Sequence, residues 1–396
     1  MKPVLGVSVY PDISPLSEIK QYFQMVSKYG FTRVFSSMFS VEGTKDEVLH
    51  YFDELIRAAH EYGLEVSLDV NPECFARMGA APDDLSVFDS IHCDIVRMDM
   101  SFGFEGDLKL LQNPYGIKIE FNASAKTGDE IRELFAAGAD PDRLLFCHNF
   151  YPQRYTGLRW GKFLRVNKEV CDAGARLAAF VSSHAPNTHG VWDAVDGLPT
   201  VERLRDLPID LQMRIMLATG NVTDILIGNA YASEEEVRSM CEVLKDRVLT
   251  GEDPDESNDP MIAFVKQMGL SADQPQKVLK VIFEPDALPI EKEDVLHFFP
   301  QIDFGDSSEW IWRSRLPRVF YKKETFTPRD PGKEYFERGD VVIVNDSYKH
   351  YAGEVQIVRM PMKCDGQRNL VARLAPGEDM LLDLINDGDI VRFLEK

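Results

Sequence analysis

The sequence predicts a mixed α/β architecture, an N-terminal (β/α)8 barrel followed by a separate small β-barrel domain. Three observations predict it. Over residues 1–250, eight short apolar, β-branched runs alternate with amphipathic helical stretches at spacings of roughly 25–35 residues. The first turn, VYPDISP, carries no glycine-rich phosphate loop, which argues against a doubly wound dinucleotide-binding sheet. Beyond Leu249 the alternation stops, and β-like runs separated by turn signals take over.

The expected strands are Val4–Val9, Arg33–Ser36, Glu65–Val70, Ile95–Met100, Ile117–Phe121, Leu144–Cys147, Ala178–Val181 and Ile225–Ile227. Helical stretches fall between most of them. In Asp46–Tyr62 the residues Val48, Tyr51, Phe52, Leu55 and Ala58 recur with the helical period. Gly30, Gly63, Gly138 and Gly174 follow helical runs as C-terminal caps do. Thr127 with Glu130 forms a capping box, and Ser233 precedes an acidic first turn. The acidic, turn-rich segment TGEDPDESNDP opens a connection over 251–277, including a short helical piece, MIAFVKQMG. The β domain then occupies 278–396, with expected strands in VLKVIF, PRVFYKK, DVVIVND, GEVQIVRM, NLVARL and DIVRFLE.

The chain has 396 residues and a formal net charge of -21. That balance argues against nucleic acid, which needs a basic face to displace counterions, and against docking on an anionic membrane. No run reaches the roughly 18–20 apolar residues that span a bilayer, and the N-terminus lacks the apolar region of a secretory signal. Six scattered cysteines without a C-x-x-C pair indicate reduced thiols and a cytoplasmic location.

In a (β/α)8 barrel, chemistry sits where the strands end. Alternate side chains of a strand share a face. Asp69, Asn71 and Glu73 share a parity, as do Arg97, Asp99 and Ser101, and Glu120, Asn122 and Ser124. Acids are therefore expected to project into the barrel mouth from three consecutive strands, where mutual repulsion holds one protonated beside an ionised neighbour. Asp69, Asp99 and Glu120 are the candidate catalytic residues, with Glu73 behind them. Arg97 and Lys118 share these parities and offer the competing reading of a structural ion network. Lys118 could also serve as a Schiff-base lysine. His148, His184 and His189 with Cys147 match no common zinc spacing, so no metal and no cofactor is expected. Trp160 and Trp192 lie in loops where an aromatic face could stack on a sugar.

The motifs LGVSVYP, FTRVFSS, DVNPE, RMDMSFG, IEFNAS, HNFYPQRYTGL, GLPTVE and IGNAYAS, with WRSRLPRVFY, RGDVVIVND and GEVQIV further on, resemble the MupG-type 6-phospho-N-acetylmuramidases over nearly the whole chain. Two places depart from the family pattern: the run His189–Asp196, and Asn229 where relatives tend to have Asp. The resemblance implies a cyclophilin-like C-terminal domain. It also implies a cytoplasmic glycosidase of cell-wall recycling, acting on a small phosphorylated disaccharide, N-acetylmuramic acid 6-phosphate linked to N-acetylglucosamine. Strand-end polar residues expected to contact such a substrate are Tyr10, Asn71, Glu73, Asn122, His148, Asn149, Tyr151, Arg154, Ser182, His184, Asn229 and Tyr231. Among these, Arg154 and His148, with groups near Ser182 and Ser183, are the candidate phosphate donors. Competing readings are a sugar-phosphate isomerase or aldolase working through Lys118, and a non-catalytic sugar-phosphate sensor. The C-terminal domain could brace the barrel, wall the site, or join subunits into a homo-oligomer.

Overall fold

The computed structural model describes residues 3–10, 13–38, 40–191, 194–245, 276–285, 301–320 and 324–396. It divides into two compact units, Met1–Glu242 and Val243–Lys396. Expectations for Trp192, for most of the connection over 251–277 and for its helical piece lie outside the described residues.

The first unit is a closed barrel of eight parallel strands in sequential order. They are β1 (Val4–Ser8), β2 (Arg33–Ser37), β3 (Glu65–Val70), β4 (Ile95–Met98), β5 (Lys118–Asn122), β6 (Leu144–Cys147), β7 (Arg176–Val181) and β8 (Asp224–Ile227). Nearly every strand residue is buried, because the strands are covered on both faces. The flanking helices are α1 (Leu16–Ser27), α2 (Lys45–His60), α3 (Pro72–Met78), α4 (Ser86–Ser90), α5 (Phe104–Leu111), α6 (Gly128–Ala136), α7 (Trp160–Asp172), α8 (Ile209–Ala218) and α9 (Glu234–Lys245). The expected caps form. Glu130 N–H donates to Thr127 Oγ1 at 3.3 Å while Thr127 N–H donates to Glu130 Oε2 at 2.7 Å, and Ser233 and Glu236 repeat the exchange ahead of α9. Gly6 closes the seam between β1 and its neighbours. A Cβ there would stand 2.3 Å from Leu226 Cδ2 and 3.0 Å from Arg33 O.

Several strand limits differ from expectation. β7 and β8 start earlier, at Arg176 and Asp224, which pair with each other at 2.7 Å inside the barrel. β4 stops at Met98, ahead of Asp99 and Met100.

The second unit is a seven-stranded sheet in the order β10-β17-β9-β16-β13-β14-β11, with a two-stranded ribbon of β12 and β15. Its strands are β9 (Gln276–Phe283), β10 (Gln301–Ile302), β11 (Ile311–Ser314), β12 (Tyr335–Phe336), β13 (Asp340–Val344), β14 (Val355–Val358), β15 (Met362–Lys363), β16 (Arg368–Leu374) and β17 (Ile390–Glu395). The two edges approach one another: Ile302 N–H donates to Ser314 Oγ at 3.1 Å, which nearly closes the sheet. Trp312, Val341, Ile357, Leu279 and Phe393 are among the side chains that fill it. The described part of the run PRVFYKK, residues 317–320, is not a strand. Leu316–Phe320 forms a short helix, and Pro317 explains the change, since it lacks the N–H a sheet ladder needs but fits a first helical turn.

Candidate active site

Strand parity and barrel register build the site. Asp69 of β3 and Arg97 of β4 are register partners and both point inward. Asp99 follows the end of β4, and its N–H continues the ladder to Val70 O at 3.0 Å, so it rises above Arg97 on the same face. Arg97 Nη1 donates to Asp69 Oδ1 at 2.6 Å and to Asp99 Oδ1 at 3.1 Å. Arg97 Nη2 donates to Asn149 Oδ1, and Asn149 Nδ2 donates to Asp99 Oδ1 at 3.4 Å. Two acids from neighbouring strands therefore share one buried guanidinium, and an amide from the loop after β6 closes the ring.

The two carboxyls differ in surroundings. Asp69 is buried, whereas the Asp99 side chain is 34 % exposed. Burial raises the Asp69 pKa to about 6; Arg97 pulls against the rise, and Asp99 and Glu120 add to it. Tyr151, half-buried nearby, has its hydroxyl pKa raised by burial, with Arg97 opposing and Asp99 adding.

Asp69, Arg97, Asp99 and Asn149 form the polar side of a cavity of about 200 Å³, and Phe35, Phe150, Pro152 and Phe180 form its apolar side. The three phenylalanines meet edge to face, with ring centroids 5.2–5.8 Å apart. Beside this mouth, the hydroxyls of Ser8 and Ser37 and the Nε of Arg97 are buried with no hydrogen-bond partner among the described residues. Ser37 is the register partner of Asp69.

The expectation of three acids at one rim is corrected to two. Glu120 points inward as its parity requires, but it lies a layer deeper. It is wholly buried, accepts from Arg33 Nη2 at 2.5 Å and from Ser67 Oγ at 3.3 Å, and does not line the cavity. Arg33 and Arg176 both reach Asp224, at 3.5 and 2.7 Å, so Glu120 ends a buried ion chain through the barrel floor. Asn71 and Glu73 also leave the predicted face, because the strand ends at Val70 and Asn71 becomes the cap of α3, accepting from Cys74 N–H at 2.8 Å. Glu73 is exposed in that first turn. Asn122 likewise caps the turn at Ala123–Ala125.

Other expected contacts serve the scaffold. His148 turns outward, against Phe163 of α7 and 2.7 Å from Asn167 Oδ1, and burial lowers its pKa to about 4. It offers no charged donor to the cavity. Tyr10 donates to Gly228 O at 2.6 Å. Ser182 Oγ accepts from Leu198 N–H at 3.1 Å, and Asn229 bridges Ser183 through its own amide, accepting from the N–H at 2.8 Å and donating to the carbonyl at 2.9 Å. His184 Nε2 meets Arg205 O at 2.6 Å. Tyr231, at a φ of 63°, packs edge to face on Tyr22 and His189. Trp160 stacks on Phe163. Arg154 lies in the loop after β6, two residues beyond Pro152, and pairs with Asp206 at 2.8 Å on the surface. Lys118 is the first residue of β5 and pairs at 2.7 Å with Glu65, the first residue of β3. It therefore lies at the end of the barrel opposite the strand-end loops, which removes the lysine on which an aldolase reading depends.

One organising residue had no signal in the sequence. Arg205 is buried after the β7 loop and donates to the carbonyls of Tyr151 and Gln153 at 3.0 and 3.2 Å and of Asp196 and Gly197 at 3.0 and 3.2 Å. It also pairs with Glu202 at 2.7 Å, which accepts from the N–H groups of Tyr155 and Gly157. This hub ties the loop that carries Asn149 and Phe150 to the loop after β7. Phe35 and Phe180, by contrast, share the inward parity of their strands and were accessible to the same reasoning as the acids.

A closed (β/α)8 barrel with two acids and an arginine at the C-terminal ends of its strands is the arrangement in which barrel enzymes place their chemistry. Comparison with known proteins gives the family. The model of the 6-phospho-N-acetylmuramidase N-terminal domain matches residues 5–242, and that of its C-terminal domain matches residues 278–394. The chain belongs to the 6-phospho-N-acetylmuramidase family. A crystal structure of an uncharacterized B. cereus protein is similar over 100% of both chains, with 33% identity and a TM-score of 0.82. A conserved Enterococcus faecalis protein with an unknown function shares the fold over 99% of this chain and 96% of its own, at 21% identity and a TM-score of 0.65. No curated protein matches the chain.

Proposed function

We propose that the protein is a cytoplasmic glycoside hydrolase that cleaves the sugar–sugar bond of a 6-phosphorylated muramyl disaccharide, N-acetylmuramic acid 6-phosphate linked to N-acetylglucosamine, during cell-wall recycling. The observation that carries the reading is the pair Asp69 and Asp99 on Arg97 beside a cavity with an aromatic wall. Glycosidases commonly use two carboxyl groups flanking the scissile bond. A carboxyl with a pKa of about 6 keeps a proton close to neutral pH, so Asp69 is the proton donor to the departing oxygen. Asp99 is the second carboxyl. The phenylalanine wall suits the apolar face of a sugar ring. A cavity of about 200 Å³ accepts one ring at the scissile end, below the roughly 300–1,000 Å³ of pockets that engulf a whole drug-sized ligand.

Arg154 is the phosphate donor in this reading. It follows the cavity-lining residues in the same loop, and its two partners, Asp206 at 2.8 Å and Asp196 at 3.8 Å, are both exposed, so they exchange readily for a phosphate. Among the described residues no helix is long and apolar enough to cross a membrane, in keeping with this assignment. Asp69→Asn and Asp99→Asn test the pair. Each is expected to lower turnover of the phosphorylated disaccharide by about 10²–10⁴-fold while the far-ultraviolet circular dichroism stays that of the parent. Full turnover in either folded variant would end the assignment.

A further inference from the structure

The spacing of the two carboxyls bears on the stereochemical course of the hydrolysis. In retaining glycosidases the pair stands about 5–5.5 Å apart, so one carboxylate can attack the sugar carbon. In inverting enzymes it stands about 6.5–9.5 Å apart, which leaves room for a water. Here Asp69 Oδ1 and Asp99 Oδ1 accept from the same nitrogen, Arg97 Nη1, at 2.6 and 3.1 Å. The two Arg97-bound oxygens therefore stand no further apart than the sum of those lengths, which sets the two carboxyls side by side on one nitrogen, the close arrangement that direct attack requires.

The spacing is also held. Arg97 is buried, and its other terminal nitrogen is tied to Asn149, which donates back to Asp99. The rest of the cavity lining is Phe35, Phe150, Pro152 and Phe180 with Arg97 and Asn149, so among the described residues Asp69 and Asp99 are the only carboxyls that line it. Asp99 Oδ2 takes no hydrogen bond among the described residues, and the side chain is partly open to solvent at the mouth.

We infer that, in the hydrolysis proposed above, on which this inference rests, Asp99 attacks the anomeric carbon directly and the released sugar keeps the configuration it had in the substrate. In the first step the Asp69 carboxyl gives its proton to the glycosidic oxygen. The bond from that oxygen to C1 breaks, and an Asp99 oxygen forms a bond to C1. In the second step water gives a proton to the Asp69 carboxylate, its oxygen bonds to C1, and the Asp99 carboxylate departs. The products are two free sugars, and both side chains return to their starting states.

The test is proton NMR of the first turnovers on a phosphorylated disaccharide of defined anomeric configuration, recorded before mutarotation. The expected product has the substrate's configuration. The opposite anomer would overturn the inference and leave the hydrolase reading standing; no cleavage would overturn both. Asp99→Ala tests the attacking group, using an aryl glycoside of a 6-phosphorylated amino sugar. Turnover is expected to fall by about a thousandfold or more and to recover in added azide, with a glycosyl azide of inverted configuration as product. Retention by the parent without azide rescue of Asp99→Ala would assign the attack to the substrate's own acetamido oxygen and overturn the role of Asp99. Should Asp99→Ala fail to fold, the anomer released by the parent still decides the stereochemistry.

Discussion

Replacing Asp69 by Asn removes a buried carboxyl whose pKa in the fold, about 6, stands above its ordinary 3.8. A difference of about two units corresponds to about 3 kcal/mol between the folded and unfolded environments. The sign follows from the direction. The fold favours the neutral acid, so this contribution to stability is complete below pH 3.8 and is lost as the pH rises through about 6. Asn is a fixed neutral stand-in of the same size. Subtracting the unfolding free energy of Asp69→Asn from that of the parent at matched pH therefore isolates the carboxyl. Urea unfolding at intervals between pH 4 and 8 measures it. The parent is expected to lose most of about 3 kcal/mol relative to the variant across that interval, with most of the change below pH 7. A difference that stays flat would show that Asp69 is not raised. A difference that grows in the parent's favour with pH would show that Arg97 outweighs burial and holds Asp69 ionised, and Asp69 could not then be the proton donor.

The same proton sets the alkaline side of the rate profile: kcat/KM is expected to fall above about pH 6, close to tenfold per pH unit, and to lose this limb in Asp69→Asn. Glu120→Gln is a stability variant rather than a catalytic one. It breaks the pair with Arg33 and leaves that guanidinium with Asp224 at 3.5 Å, which is expected to cost about 3–5 kcal/mol in urea unfolding while KM of the folded fraction stays at the parent value. Arg154→Met is expected to leave unfolding unchanged, since its partners Asp206 and Asp196 are exposed charges. It is expected to raise KM for the phosphorylated substrate by about tenfold or more, toward that of the unphosphorylated sugar, in steady-state kinetics.

The barrel was legible because its strands are short, apolar and evenly spaced, and because parity within a strand is a local property. Asp69, Arg97 and Glu120 all point inward as alternation requires. Parity does not give depth. The stagger of a closed barrel decides that Asp69 meets a cavity while Glu120 meets Ser67 and Arg33. Parity also ends with the strand. Asn71 was extrapolated past the last residue of β3 and Asn122 is the last residue of β5; at both places the chain turns and the side chain caps the next element. His148 follows Cys147, which faces the core, so its outward turn toward Asn167 follows from the alternation that aimed the acids inward. The Arg205 hub left no mark in the sequence, because its partners are backbone carbonyls spread over loops, and such groups carry no side-chain signature. In the β domain, alternation found most strands but misread the start of PRVFYKK, residues 317–320, where Pro317 outweighs the β-branched and aromatic residues beside it.

In the proposed reaction the Asp69–Arg97–Asp99 cluster splits a bond between two sugars, one of which carries a phosphate. Incubating the protein with matched muramyl disaccharides, phosphorylated and unphosphorylated, and following the masses tests it directly. Two monosaccharide products, with one water added, are expected from the phosphorylated compound, and far slower release from the other. An intact phosphorylated disaccharide after prolonged incubation with folded protein, or an isomer of unchanged mass, would contradict it.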